Sequence, residues 1–184
     1  MSLRMIRTAA RVEVMDQPHE ARLLLLLLAA RKRSGRALDG LTKLAKLDFL
    51  LRYPNCLERA LGAAGKDPSM AGVLPHEKSN IETTMIRFRY GPWDSRYRRW
   101  LSLLVARGVA VVSVRGRTVW VCLTEAGVTV AGAIAGLEQF RDLAERSVLV
   151  ARVFGDMSGT RLKGFIYDYF PELTNMRWGE EIVL

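Results

Sequence analysis

Residues 87–125, RFRYGPWDSRYRRWLSLLVARGVAVVSVRGRTVWVCLTE, hold the pattern on which the fold turns. Gly91-Pro92-Trp93-Asp94 reads as a turn, and Asp94 or Ser95 is placed to cap a following helix. At about 100° per residue, Tyr97, Trp100, Leu101 and Leu104 gather on one face of that helix and Arg98, Arg99, Ser102 and Ala106 on the other. Gly108 closes it. Val109–Val114 and Thr118–Leu123 are then β-rich runs around Arg115-Gly116-Arg117, a hairpin signal with glycine in the turn. Thr124 is placed to cap the next helix, EAGVTVAGAIAG, which Gly132 and Gly136 weaken.

Charge is concentrated in the same stretch. Between Arg87 and Arg117 lie eight arginines and one acid, Asp94, a net +7 out of a formal +9 for the 184 residues. From Glu125 onward six basic and nine acidic residues give −3. A basic middle and an acidic end point to two different tasks.

Working outward, the N-terminal side reads as helical. Pro18–Arg33 carries six consecutive leucines, Leu23–Leu28, with Pro18 suited to a first turn, basic residues at the far end and Gly35 as a terminator. With no polar face in its middle, this helix is expected to be covered on most sides. The apolar run is far short of the ~20 residues needed to span a bilayer. Residues 1–17 fit either a short strand at Val12-Glu13-Val14 or a basic arm carrying Arg4, Arg7 and Arg11. Asp39–Tyr53 is a second helix, with Leu41, Leu44, Leu47, Leu50 and Leu51 in helical register. Asn55 and Glu58 have capping-box spacing for a third helix that stops near Gly65. Residues 66–80 read as a loop, Ser79 and Glu82 as the caps of one helical turn, and Thr83–Tyr90 as extended.

On the C-terminal side, Leu137–Phe154 reads as an amphipathic helix with Leu137, Phe140, Ala144, Val148 and Ala151 on its apolar stripe. The last helix, about Gly159–Phe170, has Leu162, Phe165, Ile166, Tyr169 and Phe170 on one stripe. These five are the expected partner interface, for a second copy or a larger protein.

Three helices followed by WLSLLVARGVAVVSVRGRTVWVCLTEAG resemble the winged helix-turn-helix superfamily over roughly residues 18–135. That resemblance implies that the helix at 95–107 enters the major groove, that the hairpin is the wing, and that Leu123-Thr124-Glu125-Ala126-Gly127 opens the next helix. About forty residues separate this helix from the one at 39–53, where the superfamily has a tight turn. GLTKLAKLDFLLRYP, RYGPWDSRYRRWLSLLVARGV and LKGFIYDYFPEL also resemble the small middle subunits of bacterial three-component defence systems built around an SMC-like ABC ATPase. The implication there is an accessory subunit in an antiviral complex.

The expected fold class is therefore mainly α with a β-hairpin wing (α+β). Residues 1–135 form a winged helix-turn-helix core with a loop insertion near 66–80, and residues 136–184 form a C-terminal helical extension. The expected function is DNA binding of the transcription-regulator type, in the cytoplasm, on double-stranded DNA. Arg87, Arg89, Arg96, Arg98, Arg99, Ser102, Arg115 and Arg117 are its candidate contacts, because arginine reads guanine edges and neutralises phosphates. The alternative is a protein-interaction subunit, a homodimer or a partner of an SMC-like ATPase.

An enzyme is not expected. His19 and His76 are the only histidines, and Asp48 and Asp168 have no second carboxylate at useful spacing. No phosphate-loop, dinucleotide or HExxH motif occurs. Cys56 and Cys122, the only cysteines, are far apart and suggest neither a disulfide nor a metal site, so no cofactor and no metal are expected. Of the tryptophans in the basic stretch, Trp100 belongs to the core face of its helix and Trp93 is the one expected to be exposed.

Overall fold

The structure, a computed structural model, describes residues 3–34, 37–74, 77 and 84–183, and the side chains of these except for 3–15 and 32–34. Gly35, His76 and the turn expected at Ser79–Glu82 lie outside the described residues, as do the side chains of Arg4, Arg7 and Arg11. The fold is mainly helical with small antiparallel sheets, an α+β arrangement.

Helix α1 runs from Leu3 to Ser34 with Pro18 inside it. The helix therefore starts about four turns before the expected Pro18, and residues 3–17 are neither strand nor arm. Proline removes one i→i−4 hydrogen bond. Contacts made by Asp16 to a distant helix (below) help to hold the turn before it. Leu23–Leu28 are all buried, because α1 is surrounded by later elements of the chain. None of the described helices is long and apolar enough to cross a membrane.

Strand β1 (Leu38–Asp39) precedes α2 (Leu41–Arg52), so Asp39 ends a strand and does not begin the helix. Gly40 joins them at φ +98°, a conformation that favours glycine. Helix α3 (Pro54–Ala63) starts at Pro54, ahead of the expected Asn55 cap, and Tyr53 precedes it without a side-chain cap bond. Proline's fixed φ suits a first turn. Within 66–74 the chain makes a 3-10 turn at Pro68–Ala71, with the Asp67 carboxylate accepting from the Ser69 N–H at 2.9 Å.

Strands β2 (Ile86–Phe88) and β3 (Gly91–Trp93) form a two-stranded hairpin, with Phe88 opposite Gly91. Gly91–Trp93 is thus a strand, and the turn sits at Arg89–Tyr90. The C-terminal segment lies along β2: Ile182 N–H donates to Met85 C=O at 2.8 Å and Arg87 N–H to Glu180 C=O at 2.7 Å. Tyr53 ties the two together, its hydroxyl donating to Ile182 C=O at 2.9 Å and accepting from Met85 N–H at 2.7 Å.

Helix α4 (Tyr97–Ala106) leads through Gly108 (φ +70°) into β4 (Ala110–Arg115) and β5 (Thr118–Leu123). The hairpin pairs Ala110 with Leu123 and Arg115 with Thr118. Its turn has Gly116 at φ +60° and Arg117 at negative φ, the type II′ pattern that matches strand twist. β1 pairs with the other edge of β5, giving the sheet order β1-β5-β4.

Helix α5 (Glu125–Ala135) starts where expected, with Thr124 Oγ1 accepting from Gly127 N–H at 3.0 Å. A 3-10 turn (Glu138–Phe140), α6 (Arg141–Phe154), α7 (Gly159–Tyr169) and α8 (Glu172–Asn175) complete the chain. The buried face of α6 carries Arg146, Ser147, Val150, Ala151 and Phe154, whereas Leu137 and Val148 of the expected stripe are exposed. Arg146 is satisfied by Ala71 C=O (2.9 Å), Gly72 C=O (2.8 Å) and Glu77 (2.6 Å), so a guanidinium occupies a core-facing position. Residues 136–184 do not stand apart. Leu149, Val150, Phe154, Leu162, Ile166 and Phe170 join the same apolar cluster as the α1 and α2 leucines.

Candidate nucleic-acid interface

The α4 wheel drawn from the sequence holds: Tyr97, Trp100, Leu101 and Leu104 are buried, and Arg98, Arg99, Ser102 and Ala106 are exposed. What fixes this helix is a chain of buried polar groups. Asp48 of α2, fully buried, accepts from Arg22 Nε (2.5 Å), Arg52 Nε (2.9 Å) and Tyr97 OH (2.6 Å). Arg52 reaches on to Asp94 at 2.8 Å and lies over the rings of Tyr97 and Trp100. Asp94, just before α4, accepts from the Arg96 N–H at 2.9 Å and from its guanidinium at 3.0 and 2.8 Å. Asp16 of α1 accepts from Trp100 Nε1 at 2.8 Å and Arg99 Nε at 2.7 Å. Three segments of α1, α2 and α4 are therefore bolted by ionic hydrogen bonds.

Electrostatics follow from this geometry. Burial alone would raise the Asp48 carboxyl, but the Arg22 and Arg52 guanidiniums outweigh it and hold its pKa at about 2. Asp94 is likewise held at about 2, burial being outweighed by hydrogen bonds from Arg96 and Arg52. Tyr97 is raised well above its ordinary value by burial and by the Asp48 charge. His19 stacks on Trp100 (centroids 4.5 Å apart), and its Nδ1 accepts from Arg22 at 3.1 Å. Burial and the Arg22 charge lower its pKa to about 4, so the ring is neutral.

His19 makes the stability of the fold depend on pH. The unfolded chain takes up a proton near the ordinary histidine value while the folded chain resists it down to about 4. Stability from the neutral ring is complete above that ordinary value and is lost as pH falls towards 4. Between pH 7 and pH 5 the loss is about 2 kcal/mol. Urea midpoints at the two pH values measure it, and His19→Gln is expected to flatten the difference. An unchanged pH response in the variant excludes His19 as its source.

Of the eight arginines between Arg87 and Arg117, four are committed to intramolecular partners. Arg87 is buried, donates to Leu173 C=O at 2.6 Å and to Phe88 C=O, and lies over Tyr167. It cannot reach a nucleic acid, which removes it from the candidate contacts. Arg96 pairs with Asp94, Arg99 with Asp16, and Arg107 with Glu20. Arg96 and Arg99 keep about half of their side-chain surface, 41% and 51%, so they remain reachable, but their charge is offset. Arg89, Arg98, Arg115 and Arg117 are exposed and have no carboxylate partner among the described residues. Arg115 lies over Trp120, and Ser102 is exposed beside Arg98. No family model, curated protein or solved structure matches this chain.

The expected partner interface divides. Leu162, Ile166 and Phe170 are fully buried, with Phe170 edge-on to Phe49, so they build the chain's own core and not a docking face. Phe165, half-buried, and Tyr169, exposed, stack on each other at 4.8 Å. They line a groove of about 550 Å³ with Met70, Arg152 and Met157. Trp93, expected to be exposed, is half-buried between Phe88 and Tyr97. Cys56 is buried and its thiol is pushed up to about 12 by that burial, the state of an inert thiol.

Proposed function

We propose that this chain is a non-enzymatic DNA-binding protein of winged-helix type, with α4 as the groove-entering helix and β4–β5 as the wing. The observation that carries this reading is the sorting of the arginines. Once internal ion pairs are counted, the uncompensated ones include Arg98 on the outer face of α4 and Arg115 and Arg117 at the hairpin tip. The element order supports it too: a helix, a short strand and a helix, then α4, then a hairpin whose second strand pairs with β1. The insertion (α3, the 3-10 turn and β2–β3) lies between α2 and α4 without displacing the Arg52–Asp94 ion pair and the Tyr97–Asp48 hydrogen bond that link them. Asp48 and Asp94 are occupied by guanidiniums, which supports a structural use of these carboxylates over acid–base work.

Retention of the protein on duplex DNA, followed against salt, tests the reading. Each neutralised phosphate contributes about 0.9 to the log–log slope, so the Arg115→Ala, Arg117→Ala double variant is expected to flatten it by about 2 and to weaken all sequences alike. Absence of wild-type retention at low salt refutes duplex binding.

A second reading, an accessory subunit docking onto a larger partner such as an SMC-like ATPase, is favoured by the groove of Phe165 and Tyr169. Its rim is basic, with Lys66, Arg152 and Arg161. Light scattering over a concentration series, with and without Tyr169→Asp, separates a self-associating groove from one that awaits a different protein.

A further inference from the structure

Aromatic rings gather on the β2–β3 hairpin and the C-terminal segment beside it. Phe88 and Tyr90 are each 45% exposed, and Trp178 is 66% exposed. Phe88 sits between Trp93 and Trp178, with ring centroids 6.4 and 6.3 Å away. Rings this large are normally buried, and an exposed group of them marks a contact surface.

Cations surround these rings. Arg89 lies 5.3 Å and the Lys163 ammonium 5.4 Å from the centre of Tyr90. Arg98 of α4 and Lys46 of α2 line the adjoining pocket of about 170 Å³, whose walls include Phe88, Tyr90 and Trp93. Among the described residues none of these four cations has a carboxylate partner.

Lys46 is the most telling. Only 2% of it is exposed, yet its ammonium, with three donors, has one acceptor among the described residues, Thr42 C=O at 3.0 Å. A buried ammonium is costly unless an anion or a full set of acceptors meets it. Burial and the nearby Lys163 charge lower its pKa to about 8, as expected for a cation short of a counter-ion.

We propose that this cleft binds a nucleotide unit, its base stacked on Phe88 and Tyr90 and its phosphate held by Lys46, Arg98 and Lys163. Aromatic faces take a planar ring of any base, and the cations take the phosphate. Bases within a duplex have both faces stacked, so the site accepts an unpaired nucleotide and not a base pair. The unit is supplied either by a free mononucleotide or by a single strand. Arg98 is shared with the proposed duplex face, but the site does not use Arg115 or Arg117, so the double variant at these two positions separates this site from duplex binding.

Fluorescence anisotropy of a labelled ten-nucleotide oligothymidylate, with AMP as competitor, tests the proposal on the full chain. Tyr90→Ala and Lys163→Ala change side chains that reach the surface, so folding is retained and is checked by melting. Each is expected to weaken oligonucleotide binding by roughly tenfold, while the Arg115→Ala, Arg117→Ala variant leaves it unchanged. Competition by AMP assigns a free nucleotide as sufficient, and its absence assigns an unpaired nucleotide in a strand. The proposal is overturned if wild type binds neither probe at low salt, or if Tyr90→Ala and Lys163→Ala bind as wild type.

Discussion

Asp48→Asn is expected to destabilise the protein by about 3–5 kcal/mol, the cost of breaking a buried ion pair by removing one partner. The substitution keeps size but replaces a carboxylate with an amide whose NH₂ donates. Arg22 Nε, Arg52 Nε and Tyr97 OH all aim donors at this side chain, so at least one donor then faces another donor. Asp94 still holds Arg52 at 2.8 Å, whereas Arg22 is left beside neutral His19 with no anion in hydrogen-bond contact among the described residues. For a chain of this size each kcal/mol moves the melting midpoint by about 2–4 °C, so a fall of roughly 10 °C is expected. If α4 enters duplex DNA as proposed, retention on DNA falls with it, because Tyr97 and Arg52 orient α4. A variant melting within 1–2 °C of wild type would show that the cluster is an incidental contact and not the bolt between α2 and α4.

Acid acts on the same groups. With its pKa held at about 2, Asp48 contributes stability that is complete above the ordinary carboxylate range and is lost as pH falls towards 2. His19 loses its contribution earlier, between its ordinary value and about 4. Stability is therefore expected to fall over two successive pH ranges, and only the first fall is absent in His19→Gln.

Local signals in the sequence were enough for part of this. The buried and exposed faces of α4, the glycine after it, the β4–β5 hairpin and the Thr124 cap all depend on periodicity, turn chemistry and capping within a few residues. The uncompensated arginines were not legible. Arg99 and Arg107 looked free because the acids that pair with them, Asp16 and Glu20, lie more than eighty residues earlier. Only the tertiary fold brings those together. The α7 stripe failed for a related reason. An apolar stripe at helical spacing reads the same whether its partner is another chain or this chain's own α2 and α3, and here Leu162, Ile166 and Phe170 meet the latter. On α6 the buried face includes Arg146, whose partners are the Ala71 and Gly72 carbonyls and Glu77, so of the expected stripe Ala151 is buried while Leu137 and Val148 are exposed. Trp178, whose ring lies tilted beside Phe88, carries no periodic signal at all.

Gly127 is the other position where one methyl group should matter greatly. A Cβ built there would lie 1.8 Å from the Val109 carbonyl oxygen and 2.8 Å from its carbon, both backbone atoms that no rotamer change can move. That carbonyl accepts the Thr124 N–H at 3.1 Å, while Thr124 Oγ1 donates to Gly108 C=O at 2.7 Å and accepts from Gly127 N–H at 3.0 Å. The junction of α4, the hairpin base and α5 is thus closed by backbone bonds that leave no room for a side chain. Gly127→Ala is expected to cost about 2 kcal/mol net, an overpacking penalty of about 3 kcal/mol offset by a gain of about 1 kcal/mol in helix propensity. Gly132→Ala in the same helix meets nothing within 4 Å and should stabilise by about 1 kcal/mol. The pair separates packing from propensity on one helix. If both variants were equally stable in urea, the close approach of α5 to Val109 could not be what holds the hairpin base in place. If only Gly127→Ala also loses duplex retention, the geometry of this junction, and not the charge of the arginines alone, sets how the hairpin is presented.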